Sequence, residues 1–453
     1  MIWLPDNFVS TCFYACQNNE WVAIVARHAV ELPPADDALI GKVRKYYHGR
    51  YCVPAIQPMS WEELIADVSQ SRRKRVTMAY DENKLGYQKR WEKVKAFVKF
   101  EKWPAYTLDG TSEDLRNKAA RLIQFRRPEF TYNLARYLRP IEHYIFSHDE
   151  TGRWLKLHQR TFAKGMTSWQ VANNLYRKSQ QFAHPIYIMC DYSKMDAHLR
   201  LKMREMLEWS FYRRFNPDVE FRRLLRVQEH NIVESIAGTK WKIDGTMMSG
   251  EYNTSLGDSL INDELMSYWL RDVKHAKLIN GDDGVMIVEA EDISKLDMDF
   301  FLKVGMKLKV ELESEFSRVS FCQCSPCFIF GSWRMVRNPY RVMSRAAYTT
   351  KNLNGRGWLK LLGSIGMGEL ACNGGVPVLQ AYSQMLIRSA NGQFSQALFD
   401  DYMDMRVDKT SKHALPVTAA ARRSFQESFG ISIGQQLDLE QCFDRTILPV
   451  LPK

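Results

Sequence analysis

An α+β fold is what this sequence predicts, and three observations predict it. Two apolar runs flank a turn rich in Asp and Gly in Lys277–Val288, the pattern of an antiparallel hairpin. Another apolar run, Pro185–Cys190, stops at Asp191, as a buried strand delivering a carboxylate at its end would. Helical periodicity surrounds these strands. It runs over residues 197–229, where Leu199, Met203, Met206 and Leu207 stand amid Arg and Lys. It returns over residues 251–270, after the glycine-punctuated loop Asp244–Gly250, and again from residue 345 onward. In this last region breaks are expected at Gly355-Arg356-Gly357 and at Gly374-Gly375.

Earlier in the chain the pattern is less regular. Residues 1–90 mix short helical patterns with loops and carry Arg72-Arg73-Lys74-Arg75, either a solvated charged face or a template contact. Residues 92–130 are dense in cations. No internal repeat, low-complexity tract or long Gly/Ser/Pro linker marks a clean domain cut.

A chain of 453 residues exceeds an ordinary domain, so several cooperating subdomains are expected. With 45% apolar residues it can bury a large core, and 25% charged residues excludes general disorder. No run approaches the length of a bilayer-spanning helix, and the first forty residues lack the order of a secretory signal. Sixty-three Lys and Arg against fifty-two Asp and Glu leave a charge of +11, which favours a polyanionic partner, most simply nucleic acid. Nine scattered cysteines, an odd number, read as reduced thiols of a cytosolic protein. Cys322, Cys324 and Cys327 alone cluster. They invite a structural zinc, but no second Cys pair exists and the apolar run FCQCSPCFIF suits buried strand thiols.

The carboxylates carry the chemistry. Asp282 and Asp283 adjoin at a hairpin tip, where like charges repel and burial raises the cost. Asp191 and Asp196 close the preceding strand. Were the strands neighbours, Asp191 and Asp282 would meet as all-oxygen ligands, suited to Mg²⁺ that keeps positions for water and phosphate. Two such ions serve in-line displacement at phosphorus, and the basic charge supplies the polyanion. A nuclease and a polymerase both satisfy this chemistry.

Three segments separate the two. Asp191-Tyr-Ser193-Lys-Met-Asp196-Ala-His198, Ser249-Gly250-Glu-Tyr-Asn253-Thr254-Ser-Leu-Gly257 and Gly281-Asp282-Asp283 occur in order and resemble motifs A, B and C of viral RNA-dependent RNA polymerases. The tombusvirus-like enzymes of positive-strand RNA viruses are the nearest resemblance. Phe97–Lys102, Arg121–Arg126 and Ala135–Glu142 resemble the fingers of that group, Gly305–Glu311 resembles motif D, and Phe321–Pro326 with Trp333–Arg337 resembles motif E and its sequel. The match runs from about residue 90 to 390.

The resemblance implies a nucleotidyltransferase that adds ribonucleoside triphosphates to an RNA 3′-hydroxyl on an RNA template and releases pyrophosphate. It implies two Mg²⁺ ions, replaceable by Mn²⁺, on Asp191 and Asp282, with Asp283 as an outer carboxylate. Asp196 either caps the helix it begins or accepts from the ribose 2′-hydroxyl, and one side chain can do both. Thr254, Asp258 and Asn262 share a helix face. The family usually has Asn where Asp258 stands. Either Asp258 is protonated, or a basic neighbour compensates, or Asn262 takes over one turn later. Ser249 and Gly250 form either a flexible loop against template and nucleotide or an ordinary helix-start loop.

Lys99, Lys102, Lys118, Arg121, Arg126 and Arg127 form a cationic band fitted to triphosphate and RNA backbone, Arg121 being the leading triphosphate contact. Lys309 is either the acid that protonates pyrophosphate or a surface strand charge. Trp333, Arg334 and Arg337 grip the primer strand, or Trp333 packs in the core. His198 is read as a packing or hydrogen-bonding histidine.

The implied architecture is a closed right hand: fingers over 1–184, including an N-terminal fingertip region, palm over 185–200, a finger insertion over 201–240, palm over 241–340 and a helical thumb over 341–453. Partners would be template and nascent RNA, ribonucleoside triphosphates, and a membrane-anchoring viral replication protein or polyprotein segment, in the host cytoplasm at membrane-associated complexes. A reverse transcriptase shares the palm, but Gly281 and the Ser249-Gly250…Thr254 helix argue against it. A catalytically dead RNA-binding scaffold is the other rival, and the intact aspartates argue against that.

Overall fold

The structure, a computed structural model, describes residues 10–11, 13–101, 103–104, 119–147, 149–150, 159–347, 349, 353–404 and 413–448. It mixes helices with two four-stranded sheets that the chain visits in alternation.

Helices α1 (Gln17–His28) and α2 (Asp37–Arg50) come first. Asp36 caps α2 by accepting from the Ala38 and Leu39 amides at 2.9 and 3.0 Å. Strands β1 (Val94–Val98) and β2 (Leu122–Phe125) then pair antiparallel, Val98 against Leu122. After α3 (Pro128–Ser147) comes α4 (Ser168–Ser179), opened by a reciprocal cap between Thr167 and Gln170. Strand β3 (Pro185–Tyr192) follows and starts the second sheet.

The chain returns to the first sheet as β4 (His230–Ser235) and β5 (Lys240–Asp244). β4 lies parallel to β1, Val94 against Val233, and the sheet order is β2-β1-β4-β5. Next is α5 (Thr254–Trp269), then the hairpin β6 (His275–Asn280) and β7 (Asp283–Glu289), then β8 (Leu308–Glu313). These complete an antiparallel sheet of order β6-β7-β3-β8. The hairpin β9 (Cys324–Ile329) and β10 (Ser332–Arg337) leads into α6 (Pro339–Arg345), α7 (Gly355–Asn373) and α8 (Leu379–Ser389), with α9 (Ala419–Phe429) and α10 (Ile433–Arg445) closing the described chain.

Both faces of the second sheet are covered, so β6 and β7 are buried almost throughout. Side chains alternate between faces. Met286 and Val288 join Ile188 and the α5 residues Ile261 and Leu265 in one apolar cluster, whereas Val285 and Ile287 join Leu278 and the α4 residues Ala172 and Leu175 in another. The carboxylates at the strand ends thus stand on a rigid, two-sided platform.

Two expectations are corrected. Residues 197–229 are not one helix: short segments at Met195–His198, Leu201–Arg204, Ser210–Phe215 and Val219–Arg226 are joined by breaks and a π turn at Glu205–Trp209. The chain leaves helical backbone at Leu199 (ψ 78°) and Asn216 (ψ 111°), and inside the stretch between them Arg204 and Glu208 are buried partners at 2.8 Å, with Arg204 also donating to Gln228 and the Thr246 carbonyl. Gly355-Arg356-Gly357 begins α7 instead of breaking a helix, because Asn354 caps it through the Gly357 amide at 2.7 Å. α7 does end before Gly374.

Candidate active site

Register brings the distant aspartates to one edge. Cys190 pairs with Gly284, and continuing that register by one residue places Asp283 opposite Asp191. On the other side of Asp191 stands Lys309, its β8 partner. The hairpin loop is short. Asn280 pairs with Asp283, leaving only Gly281 and Asp282 between them. Gly281 has φ +68°, the left-handed value needed at the first position of a type II′ turn, where glycine is favoured. The Gly281 amide donates to Ser259 Oγ at 2.8 Å, and Asn262 Nδ2 donates to the Gly281 carbonyl at 2.9 Å. Two α5 side chains therefore hold the tip. Asn262 buttresses the turn backbone instead of replacing the usual Asn.

The carboxylates lie within electrostatic range of one another. Partial desolvation raises the pKa of Asp282, whose side chain is exposed at the sheet edge, with the charges of Asp196 and Asp191 adding to it and its own amide and Arg121 opposing. Asp283 is raised from 3.8 to about 6 by burial and then by Asp282, with a Cys322 hydrogen bond pulling the other way. Among the described residues, no three His, Cys, Asp or Glu side chains are grouped so that together they could hold a metal ion. An open, all-oxygen edge of mutually repelling carboxylates nevertheless fits a hard divalent ion that keeps water and phosphate ligands. Lys309 is exposed, pairs with Glu311 at 2.5 Å and feels Asp191.

Asp196 is the second residue of the segment Met195–His198, behind Lys194 at φ +55°, so it does not cap that helix. Its carboxylate is bound by Arg27 of α1, which also donates to the Met247 carbonyl at 3.2 Å. Buried Asp258 lies against it. Burial first, then the charges of Asp196 and Asp282 and a hydrogen bond with Asp196, hold the Asp258 pKa well above the carboxylate range. Of the three solutions for Asp258 the structure favours protonation, which makes it a donor like the amide it replaces. The cation Arg27 falls on Asp196, and no feature of residues 1–90 marks it in the sequence.

The motif B-like loop is laced to β2. Ser249 Oγ donates to the Leu122 carbonyl at 2.9 Å and the Gly250 amide to the Gln124 carbonyl at 2.8 Å. A Cβ on Gly250 would sit 2.7 Å from that carbonyl oxygen, so the close approach requires glycine. Thr254 donates to the Met248 and Glu251 carbonyls at 2.8 and 3.1 Å, fixing the loop's exit.

The cationic band divides. Lys99 and Arg121 share Glu101, and Arg121, largely exposed, also feels Asp282 and Asp196. Arg341 and Arg345 of α6 gather beside it, their pKa values lowered by burial and by neighbouring cations, and the sequence reading missed both. Arg127 is half-exposed on Glu129 at 2.9 Å. Arg126 is a correction: it is buried, bound to Glu251 at 2.7 Å, to Asn231 and to the Glu92 carbonyl, so it builds the fold and presents nothing to RNA. Arg334 is likewise buried against Gly374 and Cys372 carbonyls. Trp333 packs among Phe316, Phe328 and Tyr176, the core alternative, and Arg337 pairs with Glu369. Lys102 and Lys118 lie outside the described residues. His198 is buried, its Nδ1 3.1 Å from the Lys194 carbonyl. The three clustered thiols diverge: Cys322 to Asn280, Cys324 to the Cys322 carbonyl and Cys327 to Ser428.

The family description "viral RNA dependent RNA polymerase" matches residues 39–450. The chain belongs to that family. It is 30% identical over 367 residues to the RNA-directed RNA polymerase of turnip crinkle virus, covering 78% of this chain and 46% of that one. To the RNA-directed RNA polymerase of Pothos latent virus it is 32% identical over 339 residues, 71% and 44% of the two chains. To that of oat chlorotic stunt virus it is 28% identical over 426 residues, 86% and 54%. The chain thus spans about half the length of these relatives. Resemblance to tombusvirus-like members is therefore a property of nearly the whole chain, beyond its aspartate motifs.

Proposed function

We propose that this chain catalyses template-directed addition of ribonucleoside triphosphates to an RNA 3′-hydroxyl, releasing pyrophosphate, within a closed right-hand arrangement of fingers, palm and thumb. The observation that carries it is the convergence of Asp191, Asp282 and Asp283 at one edge of a single antiparallel sheet, with Arg121 within electrostatic range of Asp282. Asp191 and Asp282 would hold two Mg²⁺ ions, with Asp283 outside, and the ions when bound would activate the attacking hydroxyl and neutralise the leaving oxygen. Arg121, with Lys99 beside it, orients the triphosphate. Asp196 accepts from the ribose 2′-hydroxyl, and protonated Asp258 keeps its place. Lys309, across the strand from Asp191, supplies a proton to the departing pyrophosphate. Template and nascent RNA follow the cationic side, so binding weakens steeply with salt.

Among the described residues no helix is long and apolar enough to cross a membrane. A viral membrane-anchoring protein or a further segment of a longer product would bring the chain to replication membranes in the host cytoplasm. RNA synthesis by purified protein with Mg²⁺ or Mn²⁺ tests the reading. Extension by the native chain and none by Asp282→Ala, with RNA binding kept, is the expected result. Retained binding without extension by the native chain would instead make it a scaffold.

A further inference from the structure

Helix α1 reaches the nucleotide site from far away in sequence. Its apolar side, Ala23 and Ile24, is buried in one cluster with Val94, Val98, Leu122 and Val233 of the first sheet. Buried Glu20 accepts from the Ala237 amide at 3.2 Å, and Lys194 Nζ donates to the Ala26 carbonyl at 2.9 Å. The helix is therefore pinned at both ends, once to the finger-like sheet and once to the turn that carries Asp196. Arg27 sits in its last turn, where a cation also complements the helix dipole.

From that position Arg27 binds the Asp196 carboxylate and the Met247 carbonyl, while the Met247 amide donates back to the Asp196 carbonyl at 3.1 Å. One guanidinium thus couples Asp196 to the segment leading into Ser249-Gly250. Exposed Arg121 also lies within electrostatic range of Asp196, but its guanidinium is paired with Glu101. Asp258 touches Asp196 and Asp282 lies within electrostatic range, so Arg27 is the cation that holds the carboxylate in place by direct contact. A displaced Asp196 no longer meets the hydroxyl it would accept from.

We propose that Arg27 is a positioning residue for sugar selection: it holds Asp196 in place and aimed as the acceptor of the ribose 2′-hydroxyl, so α1 sets the preference for ribonucleotides. The proposal rests on the role of Asp196 given above. A cavity of about 200 Å³ flanks the pair, lined by Arg27, His28, Ala197, Arg200 and Thr246 among others, so shortening the side chain does not collapse a packed core.

The test measures incorporation of ribonucleotides and 2′-deoxyribonucleotides by the whole chain on one RNA template, for wild type, Arg27→Met, Arg27→Lys and Asp196→Ala. Arg27→Met should lower the ribonucleotide preference by about tenfold or more, the scale of losing a hydrogen bond to a charged group. The change should come from a higher KM for ribonucleotides with that for deoxyribonucleotides little altered. Arg27→Lys keeps the charge without the planar fork and should fall between. A preference within about twofold of wild type in both Arg27 variants, or equal loss for both sugars, would overturn the proposal. If Arg27→Met has no thermal unfolding transition, the Arg27→Lys preference decides alone. Asp196→Ala separates the two claims. If it leaves the preference intact, the sugar role of Asp196 falls and Arg27 falls with it. If it abolishes the preference while the Arg27 variants keep theirs, only the Arg27 proposal is lost.

Discussion

Replacing Asp283 by Asn isolates the cost of crowding carboxylates at the hairpin tip. In the fold the Asp283 pKa is raised from 3.8 to about 6, first by burial and then by Asp282. Between those pH values the folded chain holds a proton that the unfolded chain releases. The stability this group contributes is therefore complete below pH 4 and lost as pH rises through about 6. At about 1.4 kcal/mol per tenfold change in proton affinity, the rise is worth about 3 kcal/mol, trimmed to about 2 because the carboxyl is half-buried and not sealed. Asn has the same shape, carries no charge and can still accept from Cys322. In chelator at pH 7.5 Asp283→Asn should melt roughly 2–4 °C above wild type, and about a third of that difference should remain at pH 4.5. Adding Mg²⁺ at pH 7.5 should raise the wild type more than the variant, because a cation relieves the same repulsion. A difference that is equal at both pH values, or a variant that melts lower at pH 7.5, would refute the account.

Three further outcomes follow from side chains already placed. Asp258→Asn should keep RNA synthesis within about threefold of wild type, since amide and protonated acid both donate to Asp196; primer extension would show a dead variant if ionised Asp258 were needed. Arg126→Met should cost about 3–5 kcal/mol by stranding buried Glu251, read as a lower unfolding midpoint, and Arg126→Met/Glu251→Met should recover part of it. Gly250→Ala must move β2 or the loop, because its Cβ would meet backbone at 2.7 Å; synthesis should fall about tenfold or more while the stability read from denaturant unfolding falls by only about 1–3 kcal/mol.

Strands β3, β6 and β7 were legible because each is an apolar run ending in a turn or a carboxylate, and the pairing of β6 with β7 follows from the hairpin; that β3 lies beside β7 was only a condition of the reading, and the register supplies it. The acidic edge was legible for the same reason. Arg126 and Arg204 were not. A sequence shows a cation but not the carboxylate buried with it, and Glu251 lies 125 residues from Arg126. Arg27 was illegible for a related reason: its partner Asp196 is 169 residues away and nothing local in α1 marks it. Asp258 stood out as a departure from the family, but only its burial against Asp196 selects protonation from the three solutions left open.

The return of β4 to lie beside β1 has a consequence for how the molecule is made. Lys95 meets Glu234 across 139 residues, so a nascent chain leaving the ribosome cannot finish its first sheet until the strand that starts the second has already emerged. Synthesis and self-assembly are interleaved, and a translation product truncated before β4 would expose the bare edge of β1 to whatever strand it met first.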